Sequence, residues 1–135
     1  MSAENEGSVR ITSEGDLITA RKAARSLATK LGFGITDVTR IVTATSELAR
    51  NIISYAGSGI MKWKSLDTGT NVGVELVFED QGPGITNVEL AMQEGFSTSN
   101  GLGLGLSGSK RLMDQMEILS EVGKGTTVIV RKLKK

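Results

Sequence analysis

The chain has 135 residues, and 16 lysine and arginine residues against 15 aspartate and glutamate residues leave a formal net charge of +1 at pH 7. A charge so near zero argues against a general electrostatic binder of nucleic acid. The chain contains neither cysteine nor histidine. This excludes disulfides, a thiolate or imidazole metal site, a Ser-His-Asp triad and a phosphate-accepting histidine within the chain. The length predicts one domain over residues 8–135 after a flexible start at 1–7, and the short apolar runs and polar start predict a soluble cytoplasmic protein that binds no membrane.

The hydrophobic pattern predicts alternating groups of strands and helices. Two-residue alternation, bounded by turn-forming residues, predicts strands at 8–12, 59–66, 72–78, 118–122 and 126–133. Apolar residues spaced three and four apart predict helices at 16–31 and 37–56, the second with Thr36 as its N-cap. A short helix is predicted at 86–92, and another follows the glycine-rich segment 101–105 and ends near Met116.

An acidic turn follows the most apolar strand. Along residues 72–78, alternate apolar side chains share one face, and Asp80 continues that alternation, so its carboxylate leaves the strand on the side of the core. Gly82 and Gly84 lack a Cβ, so a ligand or another stretch of backbone can come close to them, and Pro83 fixes the turn between them. Two interpretations remain: a pocket floor that accepts an N–H from a ligand, or a tight surface turn in which Asp80 caps its own backbone.

The second predicted helix carries a polar side in addition to its broad apolar side. Glu47 and Asn51 are one turn apart and point the same way, with Arg50 beside them. Such a side is usually only solvated. A carboxylate and an amide oxygen at this spacing also suit a hard cation such as Mg²⁺ with its water ligands.

The segment Gly101-Leu102-Gly103-Leu104-Gly105 opens a predicted helix. Backbone N–H groups at such a place favour an anion, so the segment is a candidate phosphate cradle, a lid hinge, or both. It does not follow a predicted strand, as a dinucleotide fingerprint would, and it lacks the Gly-Lys-Ser/Thr order of a P-loop.

Together these motifs resemble the GHKL ATPase superfamily, whose nucleotide-binding domain is the Bergerat fold. Residues 47–51 resemble its N box, 80–84 its G1 box and 101–105 its G2 box, and Gly125-Thr126-Thr127 resembles its last glycine-threonine box. Within the superfamily, residues 46–52, 79–84, 95–99 and 110–114 look like those of RsbT-type serine/threonine switch kinases of the bacterial stressosome. The resemblance implies an α+β fold, a two-layer α/β sandwich with a mixed, mostly antiparallel sheet and helices on one face.

The resemblance also implies a role for each matching residue. Glu47 would be the general base, Asn51 would ligate Mg²⁺, Asp80 would bind the adenine amino group, and residues 94–100 would form a lid over ATP. Arg50, which departs from the bulk of the superfamily, would meet phosphate or a partner protein. The residues implied in ATP binding are Asn51, Asp80, Gly82, Gly84, Ile85, Ser97, Thr98, Gly101, Leu102, Gly103, Leu104, Gly105 and Thr126.

The function implied by the resemblance is an ATP- and Mg²⁺-dependent serine/threonine-protein kinase. It would phosphorylate STAS-domain scaffold or antagonist proteins and, when released, bind and activate a PPM-type phosphatase. One alternative is an anti-sigma-factor kinase that binds a sigma factor and phosphorylates its STAS-domain antagonist. Many of those carry a His-Ala pair where Tyr55-Ala56 stands here. The other alternative is a non-catalytic, ATP-gated binding module.

Overall fold

A computed structural model describes residues 5–84 and 102–134 of the chain, with side chains described from Leu106 onward in the second stretch. The described strands are β1 (Glu6–Ile11), β2 (Gly59–Asp67), β3 (Val72–Asp80), β4 (Gln115–Glu121) and β5 (Gly125–Lys134). The described helices are α1 (Glu14–Lys30), α2 (Ile35–Ala56) and α3 (Leu102–Leu112). None of these helices is both long and apolar enough to cross a membrane.

The five described strands form one sheet in the order β1-β2-β3-β5-β4, and each of the four pairings between them is antiparallel. Alternate side chains such as Met61, Leu76 and Val130 are fully buried on the side that meets the helices. Their strand neighbours Lys62 and Glu75 point to the other face, where they form ion pairs. The α+β, two-layer architecture expected from the sequence is therefore confirmed, with β3 at the centre of the sheet.

Helices α1 and α2 pack against each other, and both bury several small side chains. The buried residues of the two helices include Ala20, Ala24, Ala28, Ala44 and Ala49. Short side chains let two helix backbones approach each other with little empty space. This packing fixes the long helix α2 across the sheet, and with it the polar side that carries Glu47 and Asn51.

Several element boundaries differ from those predicted. Helix α2 begins at Ile35 with Gly34 as its N-cap, not Thr36, because the Gly34 carbonyl already accepts the first helical hydrogen bond from the Val38 N–H at 2.9 Å. Strand β1 begins at Glu6, which pairs with Lys64 of β2. Pairing with a neighbouring element thus extends structure beyond the point where local pattern alone would end it.

In the second half of the chain, α3 begins at Leu102, within the glycine segment, and ends at Leu112 instead of Met116. It stops there because the next residues join the sheet: the Asp114 N–H donates to the Arg131 carbonyl at 2.9 Å, and β4 starts at Gln115. The predicted helix at 86–92 and the irregular segment 94–100 lie outside the described residues.

Candidate functional site

A pocket lies between α2, the end of β3, the start of β5 and α3. Its wall is mostly apolar, and Asn51, Tyr55, Asp80 and Thr126 supply polar atoms to it. The full lining is Leu48, Asn51, Ile52, Tyr55, Phe78, Asp80, Pro83, Gly84, Leu106, Thr126 and Val128. An apolar pocket with a few convergent polar groups is the usual form of a small-molecule site.

Asp80 stands at the floor of this pocket, on the core side that strand alternation predicted. Its Oδ1 accepts hydrogen bonds from two backbone N–H groups, that of Gly82 at 2.8 Å and that of Thr126 at 3.3 Å. Both bonds within the described part of the chain use the same oxygen, which leaves Oδ2 for another donor. One oxygen therefore caps the turn, as one interpretation of the sequence expected, and Asp80 also lines the pocket; its acceptance of an N–H from a ligand stays a prediction.

The turn after Asp80 is closely packed against the rest of the protein on two sides. A Cβ added to Gly82 would come within 2.7 Å of the Ala56 Cβ at the end of α2. Gly84 has a φ of +80°, and a Cβ there would overlap the Glu121 carbonyl oxygen of the β4–β5 hairpin. The Gly123 N–H of the same hairpin donates to the Pro83 carbonyl at 2.8 Å. Close packing around the pocket floor thus explains both glycines, against the Ala56 methyl group at Gly82 and against the Glu121 backbone at Gly84.

Thr126 pairs with Asp80 across β3 and β5, and its Oγ1 lies 3.0 Å from the Ser120 Oγ of β4. The sequence pointed to Thr126 only through the family resemblance. Ser120 and the hairpin at 121–125 were missed, because they lie far from Asp80 in sequence and only the register of the sheet brings them there.

The polar side of α2 is divided between the pocket and the solvent. Asn51 lines the pocket, and its Nδ2 is buried without a hydrogen-bond partner among the described residues. Glu47, one turn earlier, is exposed and is not part of the pocket wall. Arg50 also faces solvent and forms an ion pair with Glu14 of α1. The helix therefore presents an amide inside the pocket and a carboxylate outside it.

The remaining site predictions fall largely outside the described part of the chain. Ile85, Ser97, Thr98 and Gly101 are not described. Leu102, Gly103, Leu104 and Gly105 occupy the first turn of α3, where only the backbone is described. Among the pocket residues that sequence reasoning missed, Tyr55 lies one turn beyond Asn51 on the same side of α2, and Leu106 is the first residue after the glycine segment. The four-residue spacing from Asn51 to Tyr55, and the place of Leu106 directly after the glycines, are the sequence features that could have predicted both residues.

Comparison with known proteins shows a family of ATPases and several named relatives. A sequence model of the family described as histidine kinase-, DNA gyrase B- and HSP90-like ATPases matches residues 36–135. Serine/threonine-protein kinase RsbT of Bacillus subtilis (strain 168) is 47% identical over 92% of this chain and 93% of that protein. An anti-sigma F factor of Thermoanaerobacter sp. (strain X514) is 33% identical over 84% of this chain and 82% of that protein.

The fold is shared with a solved structure. The crystal structure of RsbU and RsbW domains from Mycobacterium tuberculosis superposes with a TM-score of 0.60 at 19% identity, covering 96% of this chain and 33% of that one. These relationships confirm the predicted superfamily, the predicted fold and an RsbT-like serine/threonine kinase. With its family matched over residues 36–135 and a relative 47% identical over nearly its whole length, the chain belongs to the histidine kinase-, DNA gyrase B- and HSP90-like ATPases.

Proposed function

We propose that the chain is an ATP-dependent kinase that phosphorylates serine or threonine on STAS-domain scaffold or antagonist proteins of a bacterial stress-signalling complex. When released from them, it binds and activates a PPM-type phosphatase. The observation that carries the catalytic part is the division of α2: Asn51 faces an apolar pocket floored by Asp80, while Glu47 faces solvent one turn away. A nucleotide in the pocket then lies beside a carboxylate that a second protein can reach.

The base of ATP is proposed to occupy the apolar part of the pocket. Asp80 Oδ2 accepts a hydrogen bond from the adenine amino group, while Oδ1 keeps its two backbone donors. Apolar side chains such as Phe78 and Val128 contact the ring faces and exclude water. Thr126 holds the strand next to Asp80 through the register of β3 and β5. An acceptor fixed by two protein N–H groups needs little reorganisation when the base binds.

Asn51 is the residue proposed to hold Mg²⁺. Its amide has one buried end without a partner among the described residues, and an amide can turn by 180° so that oxygen or nitrogen takes that place. Among the described residues no group of three or more acidic, cysteine or histidine side chains converges on one point. The residues present therefore suit a cation that would take few ligands from the protein and the rest from phosphate oxygens and water, as Mg²⁺ commonly does. When bound, such an ion neutralises negative charge on the phosphates of ATP.

Glu47 is proposed as the general base. Its carboxylate accepts the proton of a serine or threonine hydroxyl as that oxygen bonds to the γ-phosphorus of ATP. The bond between the γ-phosphorus and the bridging oxygen breaks, and ADP leaves with that oxygen. Phosphoryl transfer depends mainly on position and charge. A base on a rigid helix one turn from the phosphate-side residue Asn51 supplies the position.

An anti-sigma-factor kinase is the second candidate, and the 33% identity to an anti-sigma F factor favours it. The higher identity to the kinase RsbT over a larger share of both chains favours the first candidate. The two differ in partners. The first stimulates a PPM-type phosphatase and leaves sigma factors free, whereas the second retains a sigma factor and has no effect on the phosphatase.

The test is transfer of labelled phosphate from ATP to a purified STAS-domain protein, with Glu47→Gln as the variant and Glu6→Gln, on the far edge strand β1, as the matched control. We expect acid-stable label on serine or threonine with the wild type and the control, and none with Glu47→Gln, while ATP affinity stays within about twofold. Transfer by Glu47→Gln at the wild-type rate would exclude Glu47 as the base. ATP binding without transfer to any STAS-domain protein would instead favour a nucleotide-gated binding module.

A further inference from the structure

Arg50 is held by a weak contact at an exposed position beside the proposed base. Its Nη1 lies 3.6 Å from Glu14 Oε1, and the two side chains are 50% and 75% exposed. A contact this long, with one nitrogen and one oxygen, uses little of the guanidinium fork, which binds a carboxylate best through two parallel hydrogen bonds. Glu14 comes from the first turn of α1. A better placed carboxylate can therefore displace it readily.

Arg50 lies close enough to Glu47 for the carboxylate that displaces Glu14 to come from the acceptor protein. The two residues are three apart on α2, so their side chains are neighbours, with Cβ atoms about 5–6 Å apart. A hydroxyl group that reaches Glu47 brings with it the residues that flank it in the acceptor protein. Extended chain advances about 3.3–3.6 Å per residue, so an acidic side chain one or two residues from the hydroxyl can reach Arg50.

We infer that Arg50 forms a carboxylate subsite for the acceptor protein, next to the hydroxyl that receives phosphate, and that Glu14 fills this subsite in the free kinase. The inference rests on the proposed function. It assigns a substrate class, namely serine or threonine with an acidic residue close by. Arg50 then sets the affinity for the acceptor, while Glu47 sets the rate of transfer.

Helix α2 itself offers the matched control. Arg40 lies seven residues before Glu47, on the same side of the helix and about 10 Å along its axis. Its exposure, 49%, equals that of Arg50 within one per cent, but it is bound to Asp37 at 2.9 Å. The same substitution at Arg40 thus removes an equal charge from the same surface without touching the subsite.

The experiment measures the KM values for ATP and for a STAS-domain acceptor, and the Kd of the kinase–acceptor complex with ADP bound. With Arg50→Gln we expect the acceptor KM and Kd to rise about 10- to 100-fold, while kcat and the KM for ATP change by less than about twofold. Arg50→Lys keeps the charge but loses the two parallel donors of the guanidinium group, so we expect its acceptor KM to lie between those of the wild type and Arg50→Gln. Arg40→Gln leaves all these values within about twofold. Glu14→Gln lowers the acceptor KM.

A charge exchange gives the sharpest test. The acidic residue nearest the phosphorylated position of the acceptor is replaced by lysine, which we expect to weaken binding to the wild type and to restore binding to Arg50→Glu. The inference is overturned if no acidic residue lies within about two residues of the phosphorylated position. It is also overturned if Arg50→Gln raises the KM for ATP alone, because Arg50 would then meet the nucleotide. Arg50-dependent acceptor binding without any transfer would uphold the subsite and refute the proposed kinase activity, so the two failures are distinguishable.

Discussion

Replacing Asp80 by asparagine tests the pocket floor without removing its shape. The two backbone donors of the floor, Gly82 N–H and Thr126 N–H, both bond Oδ1. An asparagine that keeps its oxygen at that place keeps both bonds. Its amide nitrogen then takes the place of Oδ2 and presents N–H groups to the adenine amino group, where an acceptor is needed.

The expected loss of ATP affinity follows from replacing this one acceptor oxygen by an amide nitrogen. A hydrogen bond to an ionised acceptor contributes roughly 1.5–3 kcal/mol. The Kd for ATP should therefore rise about 10- to 150-fold in Asp80→Asn. Titration calorimetry measures the affinity. Thermal unfolding of the free protein checks that the turn is intact, and we expect a small change there because both protein hydrogen bonds are retained.

A nucleotide without the 6-amino group separates the adenine contact from general damage. Purine riboside triphosphate cannot donate to Asp80, so the wild type should bind it more weakly than ATP, and Asp80→Asn should bind it about as well as the wild type does. Equal losses for both nucleotides would mean that the substitution disturbs the pocket as a whole. Unchanged ATP affinity would refute the adenine contact.

Three further substitutions test contacts that stabilise the pocket turn, the end of α3 and the start of α1. Gly84→Ala puts a Cβ on the Glu121 carbonyl oxygen at a φ of +80°, so we expect a loss of more than about 1 kcal/mol of stability in urea unfolding, together with weaker ATP binding. Lys132→Met removes a nearly buried ammonium group that donates to the last carbonyl of α3 at 3.1 Å, and unfolding should detect a loss of roughly 1–3 kcal/mol. Hydrogen bonds from the Thr12 backbone N–H and hydroxyl lower the pKa of Asp16 below its usual 3.8, so its contribution is present at neutral pH and is lost as the pH falls below that range. Asp16→Asn should therefore destabilise the protein at pH 7, and the difference in stability between the two proteins should shrink as the pH falls below 3.8 and through the lowered pKa of Asp16.

The parts of the site that depend on local periodicity could be predicted from the sequence. Alternation along β3 put Asp80 on the core side. The helical period put Glu47 and Asn51 one turn apart on α2, but it did not show that only Asn51 lines the pocket. Both relations need only neighbours within one element. Local preference also misled, since Thr36 is a good N-cap residue, yet α2 begins earlier at Ile35 after Gly34.

What the sequence could not supply are contacts set by pairing between distant strands. Thr126 meets Asp80 across 46 residues of chain, and the hairpin that clamps Gly84 and Pro83 follows β4. No local pattern distinguishes Ser120, whose hydroxyl lies beside that of Thr126, from any other serine in an exposed strand. The register of β3, β5 and β4 decides these contacts, and register becomes visible only when the sheet is assembled.

The two halves of the site differ in how far the protein alone completes them. At the Asp80 end of the pocket, Oδ1 already has two backbone donors, and the turn is closely packed against α2 and the β4–β5 hairpin. At the other half, the Asn51 amide has a buried end with no partner among the described residues, and Glu47 is exposed. A buried polar atom without a partner carries an energetic penalty that a bound group can relieve. On the proposed function, changes at Asp80 should therefore appear in the affinity for free adenosine. Changes at Asn51 should leave adenosine affinity intact and appear only with ATP, because only the triphosphate and its cation reach that amide. Equal loss of adenosine and ATP binding in Asn51→Ala would contradict this division.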